Sequence, residues 1–187
     1  MNIDDTDLLA ITKRATEQAA GTLAEMLEQE VQIRLFDVKQ PGLSDLNRIV
    51  KEFSTDVAGV RLMFRGILSG HSYLLLPGGQ IQQLTEITGD PFEAAKNEGN
   101  SAEIVLAEIG NVILNAVVGV LANQLDLRVS FEIPQVIRDA KDFEKDVRQI
   151  REVVAAARQP YLLTSQLVIQ SFSIQMVILV IFFRAEG

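Results

Sequence analysis

Cysteine and tryptophan are absent from the 187 residues, and histidine occurs once, as His71. The missing cysteines exclude disulfides, thiolate nucleophiles and Cys-ligated zinc together. A lone imidazole leaves nothing for a His-rich metal site or a His-based triad. Positive charge is also scarce: 17 Lys and Arg stand against 25 Asp and Glu, a formal net charge of −8. No basic cluster is available to track phosphates, so neither nucleic acid nor an anionic membrane is an expected partner. The opening stretch MNIDDTDLLAITKR is acidic and polar, and no secretory signal is read in it. The most apolar run, residues 176–183, is far shorter than the ~20 residues that span a bilayer. The expectation is a cytoplasmic protein.

What is present is a globular composition, 48% hydrophobic and 22% charged. Residues 4–29 carry Leu8, Leu9, Ala15, Ala19, Leu23 and Leu27 at helical spacing, behind the cap candidates Asp5 and Thr6. VQIRLFDV, at 31–38, alternates as a half-buried strand, and 44–53 read as a short helix. Residues 57–77 read as two strands with a turn near 69–70, 78–89 as a helix, and 90–100 as a turn-rich connection. The order then restarts, with a long helix at 101–124, a strand at 126–134, a charged helix at 140–159 and a hairpin at 161–183. Each half runs long helix, strand, short helical connection, strand pair, which suggests an internal duplication with halves near 1–89 and 100–187. Two such halves can pool their strands and cover them with the long helices. The predicted fold is a single α+β domain, a mainly antiparallel sheet with a pseudo-twofold axis. His71 falls at the predicted turn and is assigned no role. The run at 176–183 should be a buried strand, and at a sheet edge it would make a homodimer seam.

The helix at 101–124, SAEIVLAEIGNVILNAVVGVLANQ, contains no Lys or Arg. At helical periodicity Ile104, Glu108, Asn111 and Asn115 share one narrow band. Leu106, Ile109, Ile113, Ala116, Val117 and Val120 lie opposite, as a core face. An ordinary solvent face mixes both signs of charge. A stripe of one carboxylate, two amides and small apolar residues suits docking against a partner instead.

Glu108 and Asn111 are followed by Pro134 after 22 intervening residues. This Glu-x2-Asn-x22-Pro spacing resembles the signature of the CheC/CheX/FliY family of chemotaxis phosphatases, which dephosphorylate the response regulator CheY. The resemblance covers EIGNVILNAVVGVLANQL as a whole and the duplicated helix–strand–hairpin order. It implies that Glu108 docks to a lysine of the receiver domain and that Asn111 orients the attacking water. Pro134 is expected to shape the strand end rather than to perform chemistry, and Ile104 and Asn115, on the same stripe, are candidate partner contacts. The resemblance also implies no cofactor of the chain's own, because the Mg2+ belongs to the partner receiver.

Two departures accompany it. The family pattern often begins with Asp or Ser four residues before the Glu, where this chain has Ile104. Family members can carry a second Glu/Asn pair on the first long helix, where this chain has Ala10 and Lys13, with Phe36 near the Pro position. One site is therefore expected, in the second half. The alternative is a non-catalytic, FliM-like rotor module that docks a receiver or the deamidase CheD.

Overall fold

The computed structural model describes residues 5–53, 55–88, 101–156 and 160–184; the connection expected at 90–100 lies outside them. The elements run α1 (Asp5–Leu27), β1 (Val31–Lys39), α2 (Leu43–Glu52), β2 (Ala58–Gly66), β3 (Leu68–Leu76) and α3 (Ile81–Glu86). They continue as α4 (Ser101–Gln124), β4 (Val129–Phe131), β5 (Gln135–Ile137), α5 (Ala140–Ala156), β6 (Tyr161–Ile169) and β7 (Ile174–Arg184). The strands form one sheet in the order β1-β6-β7-β3-β2-β4, with β5 also on β2, and every pairing is antiparallel.

That order reads the same from either end when the halves are exchanged. β1 pairs with the hairpin of the second half, and β4 with β5 pairs with the hairpin of the first. The helices agree with this. Glu28 and Asp126 both take a left-handed φ, of 52° and 51°. Gln29 N–H donates to the Ala24 carbonyl and Leu127 N–H to the Ala122 carbonyl, a 6→1 closure ending α1 and α4 alike. The shared cap sets Leu8 on Leu106, Ile11 on Ile109, Gly21 on Gly119, Leu23 on Leu121 and Val31 on Val129.

Because both sheet faces are covered, β7 at the centre is apolar at nearly every position rather than alternating with polar residues. In β7, Ile178, Val180 and Phe182 pack toward α1 and α4, while Leu179 and Ile181 pack toward α2 and α5. The apolar run at 176–183 is thus a buried strand, as expected. It lies between β6 and β3, so it is no sheet edge and offers no dimer seam.

Other expectations change. The first hairpin turns at 66–67, not at 69–70. Gly66 takes φ +147°, a conformation open to glycine, and the Ser69 hydroxyl accepts its N–H at 3.1 Å. Gly70 stays in β3, where a Cβ would strike the Ile181 carbonyl. His71 is consequently a strand residue, 8% exposed, rather than a solvated turn residue. The strand expected at 126–134 is shorter, β4 at Val129–Phe131, and pairing with β2 resumes only at β5, beyond Ile133 and Pro134, because proline has no N–H for the ladder. In β1 the shared cap puts Phe36 where Pro134 stands, and Phe36 keeps its pairing with Ser165.

Candidate functional site

α4 lies beside α1 on one face of the sheet, and Gly110 lets it approach closely: a Cβ there would come within 2.5 Å of Val60 Cβ. Val105, Leu106, Ile109, Ile113, Leu114, Val117, Val118 and Leu121 are all fully buried. Ala116 and Val120, expected in the core face, are only half-buried. The buried arc is turned toward Leu114 and Val118. Ala102–Gln124 is long and apolar enough to cross a bilayer, yet this buried arc forms much of the protein's own core.

The outer face carries the polar stripe. Glu108 is exposed, Ile104 is exposed one turn before it, and Asn111 and Asn115 are half-buried. All four sequence-derived residues of the helix therefore share one surface. Among the described residues Glu108 has neither an ion-pair nor a hydrogen-bond partner, whereas Glu103, one turn and a half earlier, is held by Arg138 at 2.9 Å. Asn115 is not simply turned outward as a partner contact. Its Nδ2 donates to Asn111 Oδ1 at 2.8 Å, and its own Oδ1 is buried without a partner.

Pro134 is half-buried, and the break around it leaves Ile133 85% exposed. α4 lies against both β4 and β5, so this break sits close to the striped helix. Arg138, just after β5, ties the break to the first turn of α4 through Glu103. Pro134 thus lies at the strand break beside α4, and it contributes no titratable group.

The other end of the comparison is α1. The shared helix cap places Ala10 at the position of Glu108, Lys13 at that of Asn111 and Glu17 at that of Asn115. Ala10 and Lys13 are exposed, and Lys13 pairs with Glu17 at 3.8 Å. The side chain of Phe36 lies outside the described residues.

Sequence reasoning missed a polar cluster on the opposite face of the sheet. Arg61 pairs with Asp146 and with Gln135, beside a cavity of about 220 Å³ lined also by Asp142, Lys145 and Gln149. Asp146 shares the helical row of the core residues Phe143, Val147 and Ile150, which was the available signal. Burial pushes its carboxyl upward, against the pull of Arg61. His71 stacks on Tyr73 with rings 6.5 Å apart, and burial, then the charge of Arg61, lowers its pKa to about 4. Among the described residues no group of three His, Asp or Glu could hold a metal ion. The α4 stripe can do two things chemically: its free carboxylate can meet a cation, and its amide can hold a water.

No family model matches the chain. Several solved structures do match it. FliY of Thermotoga maritima aligns with a TM-score of 0.62 at 13% identity, over 99% of this chain and 93% of its own. CheX of Borrelia burgdorferi, solved as a CheX–CheY–BeF3–Mg complex, aligns with a TM-score of 0.55 at 13% identity, over 91% of this chain and 97% of the other. The FliM middle domain from H. pylori aligns with a TM-score of 0.56 at 8% identity, over 95% and 89%. At these identities the likeness is one of fold: the chain has the fold that FliY, CheX and the FliM middle domain share.

Proposed function

We propose that the chain hydrolyses the aspartyl phosphate of a CheY-like receiver domain in chemotaxis signalling. The observation that carries this reading is the free Glu108 carboxylate with Asn111 beside it on the outer face of α4, in a fold shared with a CheX solved on CheY.

An acyl phosphate is already reactive, and the Mg2+ and lysine that stabilise the moving phosphoryl group belong to the receiver. The remaining task is to hold a water in line with the leaving carboxylate oxygen. The water oxygen bonds phosphorus, the phosphorus–aspartate bond breaks, and inorganic phosphate leaves beside a restored carboxylate. An amide suits the task, since it donates and accepts without adding negative charge next to phosphate. A carboxylate would be repelled there, so Glu108 is the docking group, reaching a receiver lysine. Ile104 and the apolar Ile133 extend the contact surface. The chain works without a cofactor of its own and in the cytoplasm in this reading.

The shared fold with the FliM middle domain favours a second reading, a docking module without catalysis. One titration separates the two. Decay of receiver phosphate is followed at increasing receiver concentration. The phosphatase reading expects Asn111→Ala to lower turnover at unchanged half-saturation and Glu108→Ala to raise half-saturation. Wild-type protein that binds a receiver without speeding decay establishes the docking reading. Failure to bind any receiver sinks both.

A further inference from the structure

The structure assigns a role to Asn115: we infer that it is the positioning residue for Asn111, fixing which edge of that amide faces the partner. This rests on the phosphatase reading above.

The geometry is specific. Asn111 and Asn115 are one helical turn apart, and the Asn115 Nδ2 donates to Asn111 Oδ1 at 2.8 Å. A free amide on a helix surface rotates about its last side-chain bond and presents either edge with similar ease. With one lone pair of Oδ1 held from behind, Asn111 presents both N–H bonds and the other lone pair outward. A water can then accept from or donate to an amide that no longer has to be ordered when the partner arrives.

The arrangement has a price in stability, and that is the second observation. Asn115 Oδ1 is buried with no hydrogen-bond partner among the described residues. A buried acceptor left unpaired is unfavourable, and apolar side chains of similar shape are generally preferred at such positions. Reversing both amides would not help, because it would bury an unpaired NH2, two donors in place of one acceptor. Val112 and Val118, three residues before and after Asn115 on the same side of the helix, show that apolar residues fit this segment. The equivalent position on α1 is Glu17, which serves a surface ion pair with Lys13 and makes no such contact. An amide that leaves its own acceptor unpaired and, among the described residues, bonds through its side chain to Asn111 is placed for the sake of 111.

The test is Asn115→Leu, which keeps the shape and removes both the donor and the orphaned acceptor, with Asn115→Ala as a second variant. The inference expects turnover of receiver phosphate to fall about fivefold to tenfold, the worth of one neutral hydrogen bond. It expects half-saturation unchanged within about twofold. It also expects the melting temperature of Asn115→Leu to equal or exceed that of wild type. A residue that merely held the helix together would show the reverse, a lower melting temperature with turnover per folded molecule intact. That result, or full turnover in both variants, overturns the inference. Failure of the phosphatase reading itself looks different: wild-type protein then accelerates no decay, and Asn111→Ala changes nothing.

Discussion

α1 and α4 are the same device used twice, and they differ where it counts. Both end in the same left-handed cap, both pack side by side on one face of the sheet, and each feeds a strand to the other half's hairpin. Their buried rows correspond, Leu8 with Leu106 and Leu23 with Leu121. Their outer rows do not. α1 shows Lys13 and Glu17, paired to each other and exposed. α4 shows Glu108 without a partner among the described residues and two amides bonded to each other. The strand that follows differs in step: β1 is continuous past Phe36, while the second half breaks at Pro134 and exposes Ile133. A scaffold needs the buried row to be kept and leaves the outer row free. The difference lies in how one surface is used: α1's charges satisfy each other, and α4's carboxylate has no partner among the described residues.

Four experiments bear on this contrast. The largest effect is expected at the paired positions 111 and 13. Asn111→Ala should lower turnover of receiver phosphate about hundredfold, the scale of losing a positioned group in the reacting geometry. Lys13→Ala, its counterpart on α1, should leave turnover unchanged; equal losses would erase the distinction between the helices. Next comes the close approach of α4 to the sheet. Gly110→Ala drives a methyl into Val60 and should destabilise by about 1–3 kcal/mol in urea titration. Thr12 holds the matching place on α1, where its hydroxyl returns to the Leu8 carbonyl, and Thr12→Ala should be milder.

A pH effect follows at the centre of the sheet. The pairing registers put His71 of the first half where Val177 stands in the second. The buried ring has its pKa lowered from 6.5 to about 4, so the unfolded chain takes up its proton first as pH falls. Wild-type stability relative to His71→Val should be constant above about pH 6.5 and decline toward about pH 4. Parallel curves for the two proteins over that window would show that His71 is not buried neutral. The smallest effect belongs to Glu17→Ala, which removes an exposed ion pair and should leave the melting temperature where it was.

Much of this contrast was legible beforehand. The helical spacing of Leu8 through Leu27, the alternation of VQIRLFDV and the restart of the order after residue 100 report local structure, which periodicity reads directly. Ile104, Glu108, Asn111 and Asn115 fell on one face for the same reason. What the sequence hid depends on contacts between distant segments. Gly70 looked like a turn because glycine usually marks one, whereas here it makes room for the Ile181 carbonyl on a neighbouring strand. That error carried His71 to the surface with it. The exchange of strands between halves joins residues such as Val31 and Ile169, which no local pattern connects. The pairing of Arg61 with Asp146 is equally remote. The bond between Asn115 and Asn111 was within reach, being one helical turn apart, but the orphaned acceptor that gives it meaning emerged only with the packed core.

Whether α4 is a working surface and α1 a scaffold is decided by one decay measurement. A receiver domain from the same organism is phosphorylated and its loss of aspartyl phosphate timed with wild-type protein, with Glu108→Ala/Asn111→Ala, and with Ala10→Ser/Lys13→Ala. Fast decay is expected with wild type and with the α1 variant, and the unassisted rate with the folded α4 variant. Equal acceleration by the wild-type and α4-variant proteins would contradict that expectation.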